Sequence, residues 1–234
     1  MEKREMVYEG KAKRLYKTDE QGVYIIEYKD EATAFDGKKR GIIEGKGMVN
    51  NKVSAILFEF LEKNGIETHY IKRLGDREML VKMVDIFPIE VIIRNYAAGS
   101  ICKRLGLTEG IKFKKPVLEF CYKSDELGDP MINEYHIAAL ELATEQEVSK
   151  IKEMAFTIND LLSEYFLKRD IILVDFKLEF GKKEGKILLA DEISPDTCRL
   201  WDKDTMKKLD KDRFRRDLGQ VEEAYFEILK RLEK

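Results

Sequence analysis

The stretch richest in usable chemistry is Ile171-Ile172-Leu173-Val174-Asp175-Phe176-Lys177-Leu178-Glu179-Phe180-Gly181, an apolar run that passes into strict alternation. In an extended strand alternate side chains share a face, so Asp175, Lys177 and Glu179 project together. Phe176, Leu178 and Phe180 take the other face and anchor it in a core. The three charged groups then look into a cavity, or into solvent if the strand is a solvated edge.

The hairpin that follows decides which carboxylate joins them. Lys183-Glu184-Gly185 suits a three-residue loop with Gly185 left-handed, which pairs Lys182 with Lys186 and sets Asp191 opposite Lys177. Asp191 is then a diagonal neighbour of Glu179 on the same face, about 7–8 Å away at the backbone. Two hard oxygen ligands, completed by phosphate oxygens and water, describe a magnesium site. A two-residue Glu184-Gly185 turn would instead send Asp191 to the opposite face and bring Glu192 across from Lys177.

Three other places carry groups suited to anions. Tyr8-Glu9-Gly10-Lys11-Ala12-Lys13 puts a glycine and two lysines into a tight strand connection, where backbone N–H groups and ammonium groups can approach a triphosphate. It matches neither the Walker pattern nor GxGxxG, and glycine–lysine turns are common on surfaces. In Ile92-Ile93-Arg94-Asn95-Tyr96-Ala97-Ala98-Gly99-Ser100, a strand ends in Arg94 and a small-residue loop leads to Ser100, read as the cap of a short helix from Ile101 to Leu105. An arginine beside a helix start is a phosphate site, although a surface ion pair and an ordinary cap account for it equally well. Glu192 to Asp202 is a polar loop carrying Arg199. Lys123 near Asp129, and Asp210-Lys211-Asp212-Arg213-Phe214-Arg215, add candidates for which solvated helix starts are the plain explanation.

The elements that must position these groups follow from periodicity. Met6 to Lys29 reads as a β-meander, with a glycine near its first bend. Met48 to Lys63 has apolar residues at helical spacing and Gly65 just past its end as a left-handed cap, and Lys46-Gly47 reads as the helix start and part of a cleft floor. Strands are expected over Met79 to Val84 and Ile86 to Ile93, the second broken by Pro88, with the boundary between lobes there. Thr144 and Glu147 form a capping box for a long helix to about Lys168, and Leu218, Val221, Tyr225, Ile228 and Leu232 mark a last one. Strands and helices are partly segregated, so an α+β fold in two lobes is expected, residues 1–84 and 85–234.

Bulk properties exclude several classes. The 234 residues carry 43 Lys+Arg against 45 Asp+Glu, a net charge of -2 that offers no reason to expect nucleic acid or an acidic membrane as partner. No apolar run is long enough to span a bilayer and the N-terminus lacks a signal-peptide core, so a cytoplasmic protein is expected. Cys102, Cys121 and Cys198 form no ligand pattern and are read as reduced, packed residues. His69 and His136 sit in no nucleophilic arrangement and are read as structural or surface residues.

Taken with Lys46-Gly47-Met48-Val49-Asn50-Asn51-Lys52 and Asp191-Glu192-Ile193-Ser194-Pro195-Asp196, these motifs resemble, in order and over essentially the whole chain, the SAICAR synthetase family of purine biosynthesis. The resemblance implies antiparallel sheets in two lobes related to ATP-grasp enzymes, with ATP in the cleft. It implies a ligase that joins 5-amino-1-(5-phosphoribosyl)imidazole-4-carboxylate to L-aspartate, with ATP as co-substrate and magnesium as cofactor, and a homodimer. Carried over, Lys11, Ala12 and Lys13 form the phosphate loop, and the strand at Val81 and Lys82 presents backbone to adenine. Glu179 and Asp191 are the metal ligands. Arg94, Ser100 and Arg199 hold the ribose phosphate, Asp129, Asp175 and Lys177 lie near the imidazole carboxylate and ribose, and Lys123 and Arg215 are further substrate contacts. Lys13, Asp175, Lys177 and Arg199 form the implied catalytic set. Thr33 departs from the family's serine, and the aspartate pocket is assigned with Asp36. Amide formation from a free carboxylate requires a leaving group, which phosphoryl transfer from ATP supplies. The rival readings are a kinase-like phosphotransferase and a non-catalytic nucleotide-binding regulator.

Overall fold

The computed structural model describes residues 2–34 and 37–234. The first part of the chain builds a five-stranded antiparallel sheet. It contains β1 (Met6–Glu9), β2 (Lys13–Lys17), β3 (Val23–Tyr28), β6 (Tyr70–Arg73) and β7 (Glu78–Lys82), in the order β1-β2-β3-β7-β6. Between β3 and β6 come a small hairpin, β4 (Glu31–Ala34) with β5 (Lys39–Ile42), and the helix α1 (Lys46–Lys63). Val49, Val53, Leu57 and Leu61 of α1 are fully buried, the four-residue spacing that lays one helical stripe on a sheet. Gly65 follows in the left-handed conformation, at φ 85°, as expected.

The second sheet is larger. It comprises β8 (Asp85–Tyr96), β9 (Lys112–Tyr122), β10 (Met131–Ile132), β11 (Ile171–Lys183), β12 (Lys186–Ala190) and β13 (Cys198–Asp202). The order is β10-β9-β8-β11-β12, with β13 also paired to β11. Its helices are α2 (Ser100–Leu105), α3 (Glu134–Ala139), α4 (Glu145–Leu167), α5 (Asp212–Arg215) and α6 (Val221–Leu232). The predicted capping box starts α4: the Thr144 hydroxyl accepts from Glu147 N at 3.2 Å, and the Glu147 carboxylate accepts from Thr144 N at 2.9 Å. Val148, Ile151, Ala155, Ile158 and Leu162 then lie buried along one side of α4. They share one continuous core with α1, α6 and the apolar face of β11, including Phe176, Leu178 and Phe180. The fold is α+β. No helix among the described residues is long and apolar enough to cross a membrane.

Three local expectations are corrected. β8 runs unbroken through Pro88, because the ladder to β11 slips there, from Glu179 opposite Glu90 to Gly181 opposite Ile86, and a bulge needs no N–H from the proline. Ser100 is the first residue of α2 and makes no cap bond; Gly99 stands at the cap position, and the Ser100 hydroxyl accepts from Arg94 Nη2 at 3.3 Å. The β11–β12 turn is the two-residue form. Lys183 pairs with Lys186, and Glu184 and Gly185 both have positive φ, 52° and 80°, the twist-compatible turn of a tight hairpin. Strict alternation would then carry Asp191 away from Lys177. It does not, because Asp191 itself is left-handed at φ 61°, just past the end of β12, and this one residue re-aims its side chain into the cleft.

Candidate functional site

β11 is an interior strand, hydrogen-bonded to β8 along one edge and to β12 and β13 along the other, so the solvated-edge alternative fails. Its alternating charged residues face two groups of partners. At the glutamate end, Lys177 Nζ donates to Glu179 Oε1 at 2.5 Å and to Glu90 Oε1 at 3.0 Å, and lies 3.7 Å from Asp191 Oδ2. Lys123 also pairs with Glu179, while Lys13, from β2, pairs with Asp191 and lies 3.0 Å from Glu192 Oε1. Burial works against the Lys13, Lys177 and Asp191 charges, yet pairing outweighs it there, whereas at Glu90 burial wins over the pull of Lys177 and raises the carboxyl pKa. Glu179, Asp191 and Glu90 hold the Lys177 ammonium well above its ordinary pKa, and Lys13 and Lys177 hold the Asp191 carboxyl below the usual carboxylate range.

Lys13, Lys123, Glu179 and Asp191 of this cluster line a cavity of about 400 Å³. Leu15, Ile26, Val81 and Ile86 supply apolar lining beside the charged Lys13, Lys82, Lys123, Glu179 and Asp191. An apolar slot leading to lysines and carboxylates suits a base at one end and phosphates at the other. Lys11 does not line it; the ammonium reaches Asp125 at 2.7 Å, so the β1–β2 connection is tied to the turn after β9. Ala12 contributes a carbonyl that accepts from Lys29 N at 2.8 Å. The Lys82 N–H is donated to His69 O at 2.7 Å and its ammonium to Thr68 O at 3.0 Å, and Val81 and Lys82 both line the cavity. His69 lines the same cavity, and burial pushes its imidazole pKa down to about 4, so it is neutral. His136 bonds Asn133 N as part of the α3 cap.

Among the described residues no three His, Cys, Asp or Glu side chains gather into a metal cage. Two carboxylates, Glu179 and Asp191, line one cavity with Lys13 and Lys123, and both lie within ion-pair reach of Lys177. That donor set fits magnesium, which is held by one or two carboxylates while water and substrate phosphates fill the remaining positions.

At the aspartate end of the strand lies an arginine cluster. Arg94, 4% exposed, donates to Asp175 Oδ2 at 2.6 Å and to Glu119 Oε2 at 2.8 Å. Arg199, opposite Asp175 on β13, donates to the same carboxylate at 2.9 and 3.0 Å and to Asp212 Oδ2 at 2.9 Å, and Arg215 joins Asp212 at 2.7 Å. Burial opposes the Arg199 charge, but Asp175 and Asp212 raise its pKa above even the usual guanidinium range. Gly99 permits the close packing: at φ 63°, a Cβ there would stand 2.5 Å from Arg199 Nη2. With the Ser100 hydroxyl beside Arg94, the structure brings Arg94, Ser100, Arg199 and Arg215 into one cluster. Asp129 stands apart, accepting from Ser124 N at 2.9 Å near Lys123. Asp36 lies outside the described residues.

Sequence reasoning missed Glu90 and Glu119, and it named Glu192 and Asp212 without the partners they have here, Lys13 and Arg199. Glu90 faces Glu179 directly across the β8–β11 ladder, a pairing that only the register reveals. The group from Asp210 to Arg215 is no solvated helix start: Asp210, Asp212 and Arg213 are buried.

One strand thus joins a nucleotide-shaped cavity to an arginine cluster, the layout of an enzyme that brings phosphates to a second, anionic substrate. The sequence matches SAICAR synthetase over residues 6–232. A phosphoribosylaminoimidazole-succinocarboxamide synthase of Caldanaerobacter subterraneus subsp. tengcongensis is 77% identical over 234 residues, covering all of both chains. The crystal structure of the synthase from Ehrlichia chaffeensis is 51% identical with a TM-score of 0.96, covering 98% of each chain. A SAICAR synthetase in complex with ADP is also 51% identical, with a TM-score of 0.94 and 96% of each chain covered. The chain belongs to the SAICAR synthetase family, carbon–nitrogen ligases of purine biosynthesis.

Proposed function

We propose that the protein condenses 5-amino-1-(5-phosphoribosyl)imidazole-4-carboxylate with L-aspartate at the cost of ATP, and that β11 is the axis of the reaction. The observation that carries this is the placement of Asp175, Lys177 and Glu179 on one strand, with the arginine cluster at one end and the cavity at the other. ATP lies in the cavity with adenine against Val81 and its apolar neighbours along β7, through to Lys82. Lys13 receives the phosphates, and the Gly10-Lys11-Ala12 connection covers them. Arg94, Ser100, Arg199 and Arg215 bind the ribose phosphate, which directs the imidazole carboxylate toward Lys177, flanked by Asp175, Asp129 and Lys123. Glu179 and Asp191 hold magnesium, which when bound offsets phosphate charge.

The substrate carboxylate oxygen attacks the γ-phosphorus and ADP leaves. The aspartate amine then attacks the acyl phosphate carbon, and phosphate leaves as the amide forms. Lys13 and Lys177, both kept protonated by their carboxylates, neutralise charge on the transferring group. Asp36 belongs to the aspartate pocket. Residues 1–84 and 85–234 act as two lobes closing on ATP, and the enzyme works in the cytoplasm as a homodimer.

The test follows ADP and succinocarboxamide with ATP, magnesium and the imidazole nucleotide, with and without aspartate. Aspartate-dependent product is expected, and Lys177→Met should lower kcat by about two orders of magnitude. ADP release that ignores aspartate would indicate a phosphotransferase and overturn the reading.

A further inference from the structure

Asp210 is fully buried in the connection between β13 and α5, and touches none of the groups assigned above to substrate. Both its oxygens are engaged by backbone donors. Oδ2 accepts from Leu200 N at 2.8 Å, next in chain to Arg199, and Oδ1 accepts from Asp212 N at 2.7 Å, at the start of α5. Its own carbonyl accepts from Arg213 N at 3.1 Å, and Leu209 N donates to Leu200 O at 2.8 Å. The residue therefore staples the strand that carries Arg199 to the helical turn that carries Asp212 and Arg215. Asp212 in turn accepts from Arg199 at 2.9 Å and from Arg215 at 2.7 Å. The distance between the two guanidiniums is thus fixed through one carboxylate whose own position Asp210 sets.

We propose that Asp210 is the positioning residue of the arginine cluster: by clamping Leu200 N and Asp212 N it sets the spacing of Arg199 and Arg215, and so governs affinity for the phosphorylated substrate without affecting ATP. The inference rests on the assignment of that cluster to the ribose phosphate.

The clamp needs the ionised form, because each oxygen already faces an N–H. A proton on either one makes that oxygen a poorer acceptor and adds a buried O–H that needs a partner of its own, which loosens one staple. Burial and the neighbouring Asp212 charge push the Asp210 carboxyl up to about 7, against the pull of the two backbone bonds and of Arg199. The other groups near it are Cys198 on β13 and Tyr225 on α6, both pushed up chiefly by burial and neutral in this range. Below about pH 7 the clamp weakens and the spacing loosens.

Asp210→Asn tests this, since the amide keeps the shape but offers one acceptor where two are needed. With the variant at about pH 8, KM for the imidazole nucleotide should rise about tenfold, while KM for ATP and kcat stay within about threefold. The wild-type KM for the imidazole nucleotide should rise as pH falls from about 8 to about 6, and the variant should lose that part of the pH dependence. Titration of the substrate's own phosphate is common to both proteins and cancels. A merely structural role predicts a lower melting temperature and a smaller active fraction, which lowers kcat and leaves KM unmoved. Arg199→Ala, run alongside, separates the two levels. If it fails to raise that KM, the phosphate assignment itself falls. If it raises it and Asp210→Asn does not, or if Asp210→Asn raises both KM values together, the positioning role is overturned.

Discussion

Asp175→Asn exposes how the arginine cluster is balanced. Asp175 is 3% exposed and accepts from Arg94 at 2.6 Å and from Arg199 at 2.9 and 3.0 Å. Removing one partner of a buried pair ordinarily costs about 3–5 kcal/mol, because the other charge is left uncompensated. Here neither arginine is stranded: Arg94 keeps Glu119 and Arg199 keeps Asp212. The loss should therefore be that of charge-assisted hydrogen bonds, about 2 kcal/mol, or a melting temperature lower by about 4–8 °C for a chain of this size. Inorganic phosphate should then narrow the gap between the two proteins. The deleted charge repelled any anion in the cluster by about 2 kcal/mol per unit charge at about 7 Å and an effective dielectric of about 20, so phosphate should stabilise the variant more than the wild type. Thermal unfolding across a phosphate titration reads both effects. A variant that melts with the wild type, or gains no more from phosphate than the wild type does, would refute the claim that Asp175 holds these guanidiniums.

Gly99→Ala should disturb the same cluster from the loop side. The guanidinium that its Cβ would meet is pinned by Asp175 and Asp212 and cannot swing away, so the variant should lose about 1–3 kcal/mol of stability and show a raised KM for the imidazole nucleotide. Asp212 supplies an acid-side dependence: burial raises its pKa, but Arg199 and Arg215 outweigh that and hold it down to about 2, against an ordinary 3.8. A depressed carboxyl contributes stability that is present above the unfolded pKa and is lost as pH falls through the folded one, here about 2 kcal/mol between about pH 4 and pH 2. Urea unfolding over that range should find Asp212→Asn flatter than wild type; equal slopes would contradict the pairing.

What the sequence made legible was local. The Thr144–Glu147 box, the left-handed Gly65 and the alternation of β11 each depend on residues a few positions apart, and all three formed as read. The site residues Arg94, Ser100, Arg199 and Arg215 also meet, although Ser100 does so by accepting from Arg94 instead of capping α2. The hairpin register was harder, because Lys183-Glu184-Gly185 fits a three-residue loop as well as a two-residue one, and a left-handed glutamate is the less obvious choice. Even the correct register would have misplaced Asp191, since its positive φ breaks the period on which face assignments rest. Glu90, Glu119 and the Asp212–Arg199 pair were illegible for another reason. Their roles come from strands and turns far away in the chain, and charged residues in isolation read as solvated surface.

Those carboxylates, together with Asp175, Glu179 and Asp191, explain how the site tolerates its own cations. A lysine or arginine buried without a partner costs several kcal/mol, yet Arg94 is buried and Lys13, Lys177 and Arg199 are half-buried. Each is held by two or more carboxylate contacts: Lys13 by Asp191 and Glu192, Lys177 by Glu90 and Glu179, Arg94 by Glu119 and Asp175, Arg199 by Asp175 and Asp212. A phosphate entering either end therefore competes with an anion already in place, and the change in local charge is smaller than the number of basic residues suggests. The carboxylates between the cations fix them in direction before substrate arrives, which is the preorganisation that the proposed phosphoryl transfer from ATP to a carboxylate requires.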